Sequence, residues 1–450
     1  MLSELTDREG RPRRRVVVEA AAGEVDAIRG RLAADIVAEA EVLHTSQALG
    51  LGGQRHSVTV VGEGGDPIRG AVVRMTTRKS WNVTVSRTNA AGHAELEARG
   101  KGAARLEVSP IPGHWSIGME CPAEQTDVQL RAVSLPPAPD DGLGWWHHAV
   151  GAAAGTEAAR GIRVGVIDSG CGPHPALSHA RTLGTFTDGR LPTADGLDAD
   201  EHGTHVCGIV GARPARGAGF AGLAQAADLV VARVQQPGKL VSDADMANAL
   251  DAMVTEEVDL VNMSLGAQRE SVQLLDSIID AWTRGTVCFA AAGNTAGDVL
   301  WPARHERVVA VTAVGRRGVA PPRTLSASRL QRCLGEDVTS DLVFPDFCCR
   351  GLGVTCCAPG VAIISTIPIE GAGQPLAAAG WADMDGTSMA CPVALGVLAV
   401  ILGKDSDFLH MSRDEDRARH AWDQLEMHCV PTALDQDFQG NGLPMVDLPY

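Results

Sequence analysis

Two rhythms of apolar and polar residues divide the chain. Between 56 and 133 they alternate in short runs: "HSVTVVGEG", "GAVVRMTT", "WNVTVSRT", "GHAELEA", "ARLEVSP" and "TDVQLRAV", set apart by Gly, Pro and Asn. Alternation of period two at this spacing predicts the antiparallel strands of a β-sandwich, each with one buried face. Beyond about 143 the runs turn continuously apolar: "IRVGVID", "ADLVVARV", "VDLVNMSL", "TVCFAAAG", "RVVAVTAVG" and "GVAIIST". Helical stretches at 204–212, 243–256, 271–284 and 388–402 separate them. Strands buried on both faces and alternating with helices predict an α/β fold, a parallel sheet covered on each side. In such sheets functional groups gather at the carboxyl ends of the strands.

Ahead of both lies a third pattern. "RVVVEA", then Gly23, then a helical spacing of Val25, Ile28 and Leu32, then "DIVAEAEVL" reads as a small βαβ piece over 14–44. "GLGG" (50–53) and the Pro-rich, acidic "SLPPAPDDG" (134–142) read as linkers. The expected organisation is an N-terminal βαβ segment (1–52), a sandwich-like accessory domain (53–135), a linker (136–142) and an α/β domain (143–450).

Composition narrows the function. A chain of 450 residues needs more than one core. With 45% hydrophobic and only 4% aromatic residues, the cores are built from Val, Leu, Ile and Ala. A net charge of −16 argues against nucleic acid as a partner. The basic run Arg11–Arg15, "RPRRR", reads as a solvated arm. The first residues lack the apolar segment of a signal peptide, and no run is long enough to span a membrane, 388–402 coming nearest. The expectation is therefore a cytoplasmic protein without a membrane partner. Of eleven cysteines, the scattered ones read as reduced, buried thiols. Cys348, Cys349, Cys356 and Cys357 cluster as C-C-x6-C-C, which is not a common zinc spacing. Disulfides or free thiols are expected there, with a metal site as the alternative.

Three stretches carry candidate chemistry. "RVGVIDSGCGPHPAL" (163–177) ends an apolar strand in Asp168, a carboxylate aimed at the cleft or simply a turn cap. "DEHGTHVCGIVGA" (200–212) places His202 at a helix start; His205, one turn on, reads as packing. The H-x-x-H pair lacks a further ligand at zinc spacing. "DGTSMACPVALGVL" (385–398) opens an apolar helix at Ser388, either a cap or a nucleophile at the positive end of a helix dipole. Pro392 follows close to the helix start, where a missing N–H costs least. Together the three supply an acid, a base and a nucleophile; a serine needs a base within reach and a third group to orient that base.

"VIDSG", "HGTHVCG" and "GTSMACP" resemble the three signature segments of the subtilisin-like serine proteases, the subtilases. The resemblance continues through "GLAQAADLVVARV" (222–234), "VNMSLG" (261–266), "AAAGNTAG" (290–297), "WPAR" (301–304) and "NGLPMVDLPY" (441–450), covering about 143–450. It implies a three-layer parallel-sheet catalytic domain and a serine endopeptidase acting through an acyl-enzyme. Carried over residue by residue, Ser388 would be the nucleophile, His202 the base and Asp168 its orienting acid. The Asn294 side chain and the Ser388 N–H would bind the oxyanion. Ser264, Leu265 and Gly266 would pair with an extended substrate, and Ala291, Ala292 and Gly293 would wall the first specificity pocket. No cofactor is implied. Calcium often stabilises the family, and Asp195, Asp198, Asp200 and Glu201 are the candidate ligands, though they read better as a solvated acidic loop. Cys207 and Cys391 stand where the family usually has Ala and Thr, and 326–357 is longer and richer in Cys than the family's turn. Residues 14–44 are short for the inhibitory pro-domain that many subtilases carry. The accessory domain is expected to dock a partner or the catalytic domain. Two alternatives are an inactive binding module, disfavoured by the intact set, and an esterase, whose G-x-S-x-G elbow is absent.

Overall fold

The computed structural model describes residues 43–44, 54–77, 80–98, 104–121, 127–153, 157, 159–187, 192–193, 195–198, 200–235, 241–369 and 380–448. The βαβ expectation for 14–44 lies outside these residues, except for Leu43 and His44 at its very end. These two form β1 (Leu43–His44), which pairs antiparallel with Val241–Ser242.

The alternating region forms β2 (Gln54–Val61), β3 (Val72–Thr77), β4 (Ser80–Arg87), β5 (His93–Ala98), β6 (Ala104–Val108), β7 (Ile117–Cys121) and β8 (Asp127–Arg131). These make two sheets, in the orders β5-β2-β8 and β4-β3-β6-β7. Val58, Val60, Leu96 and Val128 of the first share one apolar cluster with Val73, Met75, Leu106 and Val108 of the second. One pair departs from the antiparallel expectation: β8 runs parallel to β2. β7 lies in the other sheet, so β8 joins β2 by a crossover rather than a hairpin. Alternation of side chains carries no information on strand direction.

Five of the six continuous apolar runs join one large sheet; the sixth, "GVAIIST", does not, its Ile363–Thr366 pairing antiparallel with Trp381–Met384 in a separate two-stranded sheet. β9 (Arg163–Asp168), β10 (Arg181–Thr185), β11 (Asp228–Arg233), β13 (Leu260–Met263), β14 (Val287–Ala291), β15 (Val308–Arg316) and β18 (Cys356–Pro359) are mutually parallel in the order β10-β11-β9-β13-β14-β15-β18. The pair of residues facing β1 is the short strand β12 (Val241–Ser242). A hairpin of β16 (Cys333–Asp337) and β17 (Leu342–Pro345) adds antiparallel to the far end of β15. Successive side chains point to opposite faces, so the sheet has two cores. Val164 and Val166 face one, with Val206 and Ile209 of α1 (His202–Gly211). Ile167 faces the other, with Met246 and Leu250 of α2 (Asp243–Thr255) and Leu274 and Ile278 of α3 (Val272–Thr283). This is a three-layer α/β arrangement. A short helix, α4 (Leu325–Gln331), precedes the hairpin. The central helix, α5 (Thr387–Lys404), is apolar on every side and buried along nearly its whole length. By length and composition it could cross a membrane, but 83% of it is buried inside the fold.

The β module is built into this domain rather than tethered beside it. Trp115, Val133 and Leu135 join the first of the two sheet cores. Gly113 N donates to Trp381 O at 2.8 Å, and Leu325 N to Ser116 O at 2.8 Å. Ser116 N and Oγ both donate to Asp383 Oδ1, at 2.7 and 2.8 Å. Ser326 Oγ lies 3.0 Å from Asp383 Oδ2 and 2.7 Å from Asp385 Oδ1, yet one hydroxyl hydrogen serves only one of them. Burial, and then the charge of Asp385, push the Asp383 carboxyl up to about 7, against the serine hydrogen bonds. A carboxyl raised above its ordinary 3.8 favours the folded state while protonated. This contribution is therefore lost as pH rises from about 4 through about 7. Asp383→Asn keeps the acceptor for Ser116 and removes the charge. It is expected to raise Tm at pH 8 and to change it little at pH 5 in thermal denaturation; equal shifts at both pH values would contradict the assignment.

Candidate active site

Asp168 is the last residue of β9 and is fully buried. His202 opens α1, and its Nδ1 lies 2.8 Å from Asp168 Oδ1. The same oxygen accepts from Ser169 N at 2.7 Å, while Oδ2 has no protein partner. Burial alone would lower the His202 pKa. The charge of Asp168 and its hydrogen bond, with Asp200 and Asp198 behind them, outweigh burial and push it up to about 9.

The acidic stretch before His202 is not a solvated loop. Asp198 Oδ1 accepts from Ser169 Oγ at 2.7 Å and Asp200 N at 3.0 Å. Its Oδ2 accepts from Thr204 N at 2.8 Å and from the Thr204 hydroxyl, so it caps α1. Asp200 accepts from His202 N at 3.1 Å and Gln235 Nε2 at 2.5 Å. Only Asp195 stays largely exposed. These carboxylates spend their oxygens on backbone and side-chain donors, and among the described residues no three His, Cys, Asp or Glu side chains converge as a metal cage. His205 is fully buried, with Nε2 3.1 Å from both Ile363 O and Ala382 O. Burial lowers its pKa to about 3, so it stays neutral and packs as the sequence suggested.

Ser388 is the second residue of α5. Before it, Gly386 takes φ 156°, and a Cβ there would stand 3.2 Å from Asn294 Nδ2. Asn294 Oδ1 accepts from Thr387 N at 2.9 Å and Thr387 Oγ1 at 3.0 Å. The oxygen of that amide is thus occupied, leaving its NH2 to donate. Pro392 sits further into the helix than its count from Ser388 suggests, because α5 begins at Thr387. It withholds the N–H that would bond the Ser388 carbonyl. Ser264 Oγ donates to that carbonyl instead, at 2.8 Å, tying the 264–266 segment to helix α5. The Ser388 hydroxyl itself makes a long contact, 3.4 Å, to Ser264 O.

A cavity of about 190 Å³ gathers the groups around Ser388; Asp168 and His202 are not in its lining. Ser264, Leu265, Gly266, Ala291, Gly293, Asn294, Thr387 and Ser388 line it, joined by Gln235, Val241 and Leu300, which the sequence did not single out. Ala292, expected in its wall, is absent from the lining. Its side chain points to the opposite face, into the core with Val299 and Ala303. Gly293 adopts φ 115°, and a Cβ there would come within 2.7 Å of Leu300 Cδ1. Thr387 was legible only as part of the Gly-Thr-Ser triplet.

The cysteine cluster is structural. Cys348, Cys349, Cys356 and Cys357 are free and fully buried. Cys356 and Cys357 open β18 and pair in register with Val311 and Thr312 of β15. The stretch read as an insertion is partly a strand of the main sheet. Cys207 and Cys391 are likewise free and buried. Contact with Cys171 and burial raise the Cys207 thiol, and burial raises that of Cys391.

The model of the Subtilase family matches residues 159–443, more than half of the chain. The "Major intracellular serine protease" of Bacillus subtilis (strain 168) is 28% identical over 300 residues, 64% of this chain and 82% of that protein. Subtilisin Savinase of Lederbergia lenta is 30% identical over 246 residues, 54% of this chain and 77% of that protein. The M-protease of Shouchella clausii (strain KSM-K16) is 30% identical over a similar stretch, which is 55% of its length. A buried carboxylate on an imidazole at the carboxyl edge of a parallel sheet, a serine at the mouth of a buried helix and a family match spanning all of them agree: this chain belongs to the subtilase family of serine endopeptidases.

Proposed function

We propose that this chain hydrolyses peptide bonds in protein or peptide substrates with Ser388 as nucleophile, His202 as general base and acid, and Asp168 as the group that orients the imidazole. The observation that carries it is the 2.8 Å contact of His202 Nδ1 with a fully buried Asp168, which engages one ring nitrogen and leaves proton transfer to the other, Nε2. Ser388 Oγ adds to the scissile carbonyl carbon and gives its proton to His202. The oxyanion takes hydrogen bonds from Asn294 Nδ2 and Ser388 N–H. His202 then protonates the leaving amine, and water, deprotonated in turn by His202, releases the acyl group. Ser264, Leu265 and Gly266 pair with the substrate backbone as an added strand. Ala291 and Gly293 flank the first specificity pocket. No organic cofactor enters this chemistry.

Labelling by a fluorophosphonate tests the reading. Wild type is expected to acquire one label, at Ser388, and to digest a peptide library; Ser388→Ala is expected to do neither. An unlabelled wild type, or label elsewhere, overturns it. Asn294→Ala removes one oxyanion donor and is expected to lower kcat by about 10²–10³ with KM little changed. Because a general base must be neutral, kcat/KM is expected to rise with pH as His202 loses its proton, with a midpoint near the pKa of about 9. A pH–rate profile with its midpoint at 6.5 or below contradicts that.

Residues 53–135 fit an accessory module docked on the catalytic domain at 143–450. Residues 1–52 fit a pro-segment: its Leu43–His44 pairs with β12, and Val241 of β12 lines the site cavity. Intact mass of wild type against Ser388→Ala checks for self-removal of that segment. A reducing, cytoplasmic setting fits the ten free cysteines among the described residues.

A further inference from the structure

The residue before the proposed base has an unusual backbone. Glu201 adopts φ 73° and ψ −19°, a left-handed conformation that a non-glycine residue rarely takes. It is the N-cap of α1 yet its side chain caps nothing; its carbonyl accepts from His205 N at 3.0 Å and so begins the helix. Its carboxylate is instead held from outside the catalytic domain. Arg87, the last residue of β4, donates from Nη2 to Glu201 Oε2 at 2.8 Å, and its Nη1 meets Oε1, a two-pronged pair. Glu201 is only 14% exposed. On the adjacent strand β3, the half-buried Arg74 donates to Ser109 O and feels the charges of Asp200 and Glu201. Two arginines of the β module thus balance the acidic residues packed against the helix that bears His202. The module is itself anchored at a second place through Ser116, Asp383 and Leu325, so Arg87 projects from a fixed support.

We propose that the β module completes the catalytic site: Arg87 is a positioning residue that, by gripping Glu201, fixes the backbone turn from which His202 springs. The inference rests on the assignment of His202 as the base. A displaced imidazole misses the Ser388 proton, and small misplacements cost large factors in rate. Freed of Arg87, Glu201 would also stand as an unbalanced negative charge one residue from His202, alongside Asp168, Asp198 and Asp200.

Kinetics on the full chain test this with Arg87→Met, Arg87→Lys, Glu201→Gln and the Arg87→Met/Glu201→Gln double variant. Arg87→Met is expected to lower kcat and the fluorophosphonate labelling rate by about tenfold, with KM and Tm nearly unchanged. The midpoint of its pH–rate profile is expected to move upward. Arg87→Lys is expected to restore part of the rate, since it keeps the charge and loses the fork. The double variant is expected to be no slower than the slower single variant, because both remove one contact. Wild-type labelling rates in Arg87→Met, or additive losses in the double variant, overturn the proposal. So does a loss of rate that tracks a fall in Tm. Failure of the wild type to label at all would instead strike at the triad assignment.

Discussion

Ser388→Ala is expected to lower kcat on peptide substrates by on the order of 10⁶, as loss of the nucleophile does in subtilisin. The substitution deletes one oxygen and little else. The helix start is kept, since Gly386 and Thr387 make the bonds that seat it. The Ser388 carbonyl still accepts from Ser264 Oγ, so the 264–266 segment stays attached. Asn294 and the backbone N–H at 388 remain, and their transition-state stabilisation leaves a small residual rate over water. Peptide affinity and Tm should therefore change little while acylation disappears. Single-turnover measurement on a chromogenic peptide, with Tm recorded alongside, checks all three. A variant retaining more than about a tenth of the wild-type rate would remove Ser388 from the chemistry.

The second large effect is expected from Asp168→Asn, a loss of about 10⁴ in kcat near neutral pH. Asp168 Oδ1 accepts from both Ser169 N and His202 Nδ1, and an amide has one oxygen. Left on that site, it stays on both donors but carries no charge to stabilise the imidazolium. Turned over, it sets an N–H toward Nδ1 and forces the proton onto Nε2, the nitrogen that has to receive it from Ser388. The substitution also removes the strongest influence raising the imidazole pKa, leaving burial to pull it down. The residual activity should therefore reach its plateau at lower pH than in wild type. A loss of activity with an unmoved pH midpoint would mean that Asp168 does not set the charge on His202.

The groups that were readable in the sequence are those whose neighbours along the chain already define their geometry. Asp168 ends an apolar run, His202 precedes Gly-Thr at a helix start, and Ser388 follows Gly-Thr before another. What stayed hidden depends on distant partners. Asp198 and Glu201 look like a solvated loop until Ser169 and Thr204 are found on the first and Arg87, 114 residues away, on the second. Asp383 looks like any strand residue, yet its main partner, Ser116, lies 267 positions earlier. The Cys-rich stretch suggested an insertion because cysteine is weak evidence for a strand. Only the register against β15 shows Cys356 and Cys357 as core residues. Ala292 was misplaced by a single step along an alternating backbone.

Helix α5 has a consequence for how the molecule is made. Its eighteen residues are apolar all round, and they lie C-terminal to every strand of the parallel sheet that they cover. During synthesis the sheet therefore emerges with one face still bare, and the segment that will close it leaves the ribosome late and greasy. Parallel pairings of this kind form slowly, and such intermediates aggregate. Chains interrupted before 387 should accumulate as insoluble material or be cleared by proteases, and recovery of full-length protein should depend on chaperone supply more than on growth medium or inducer.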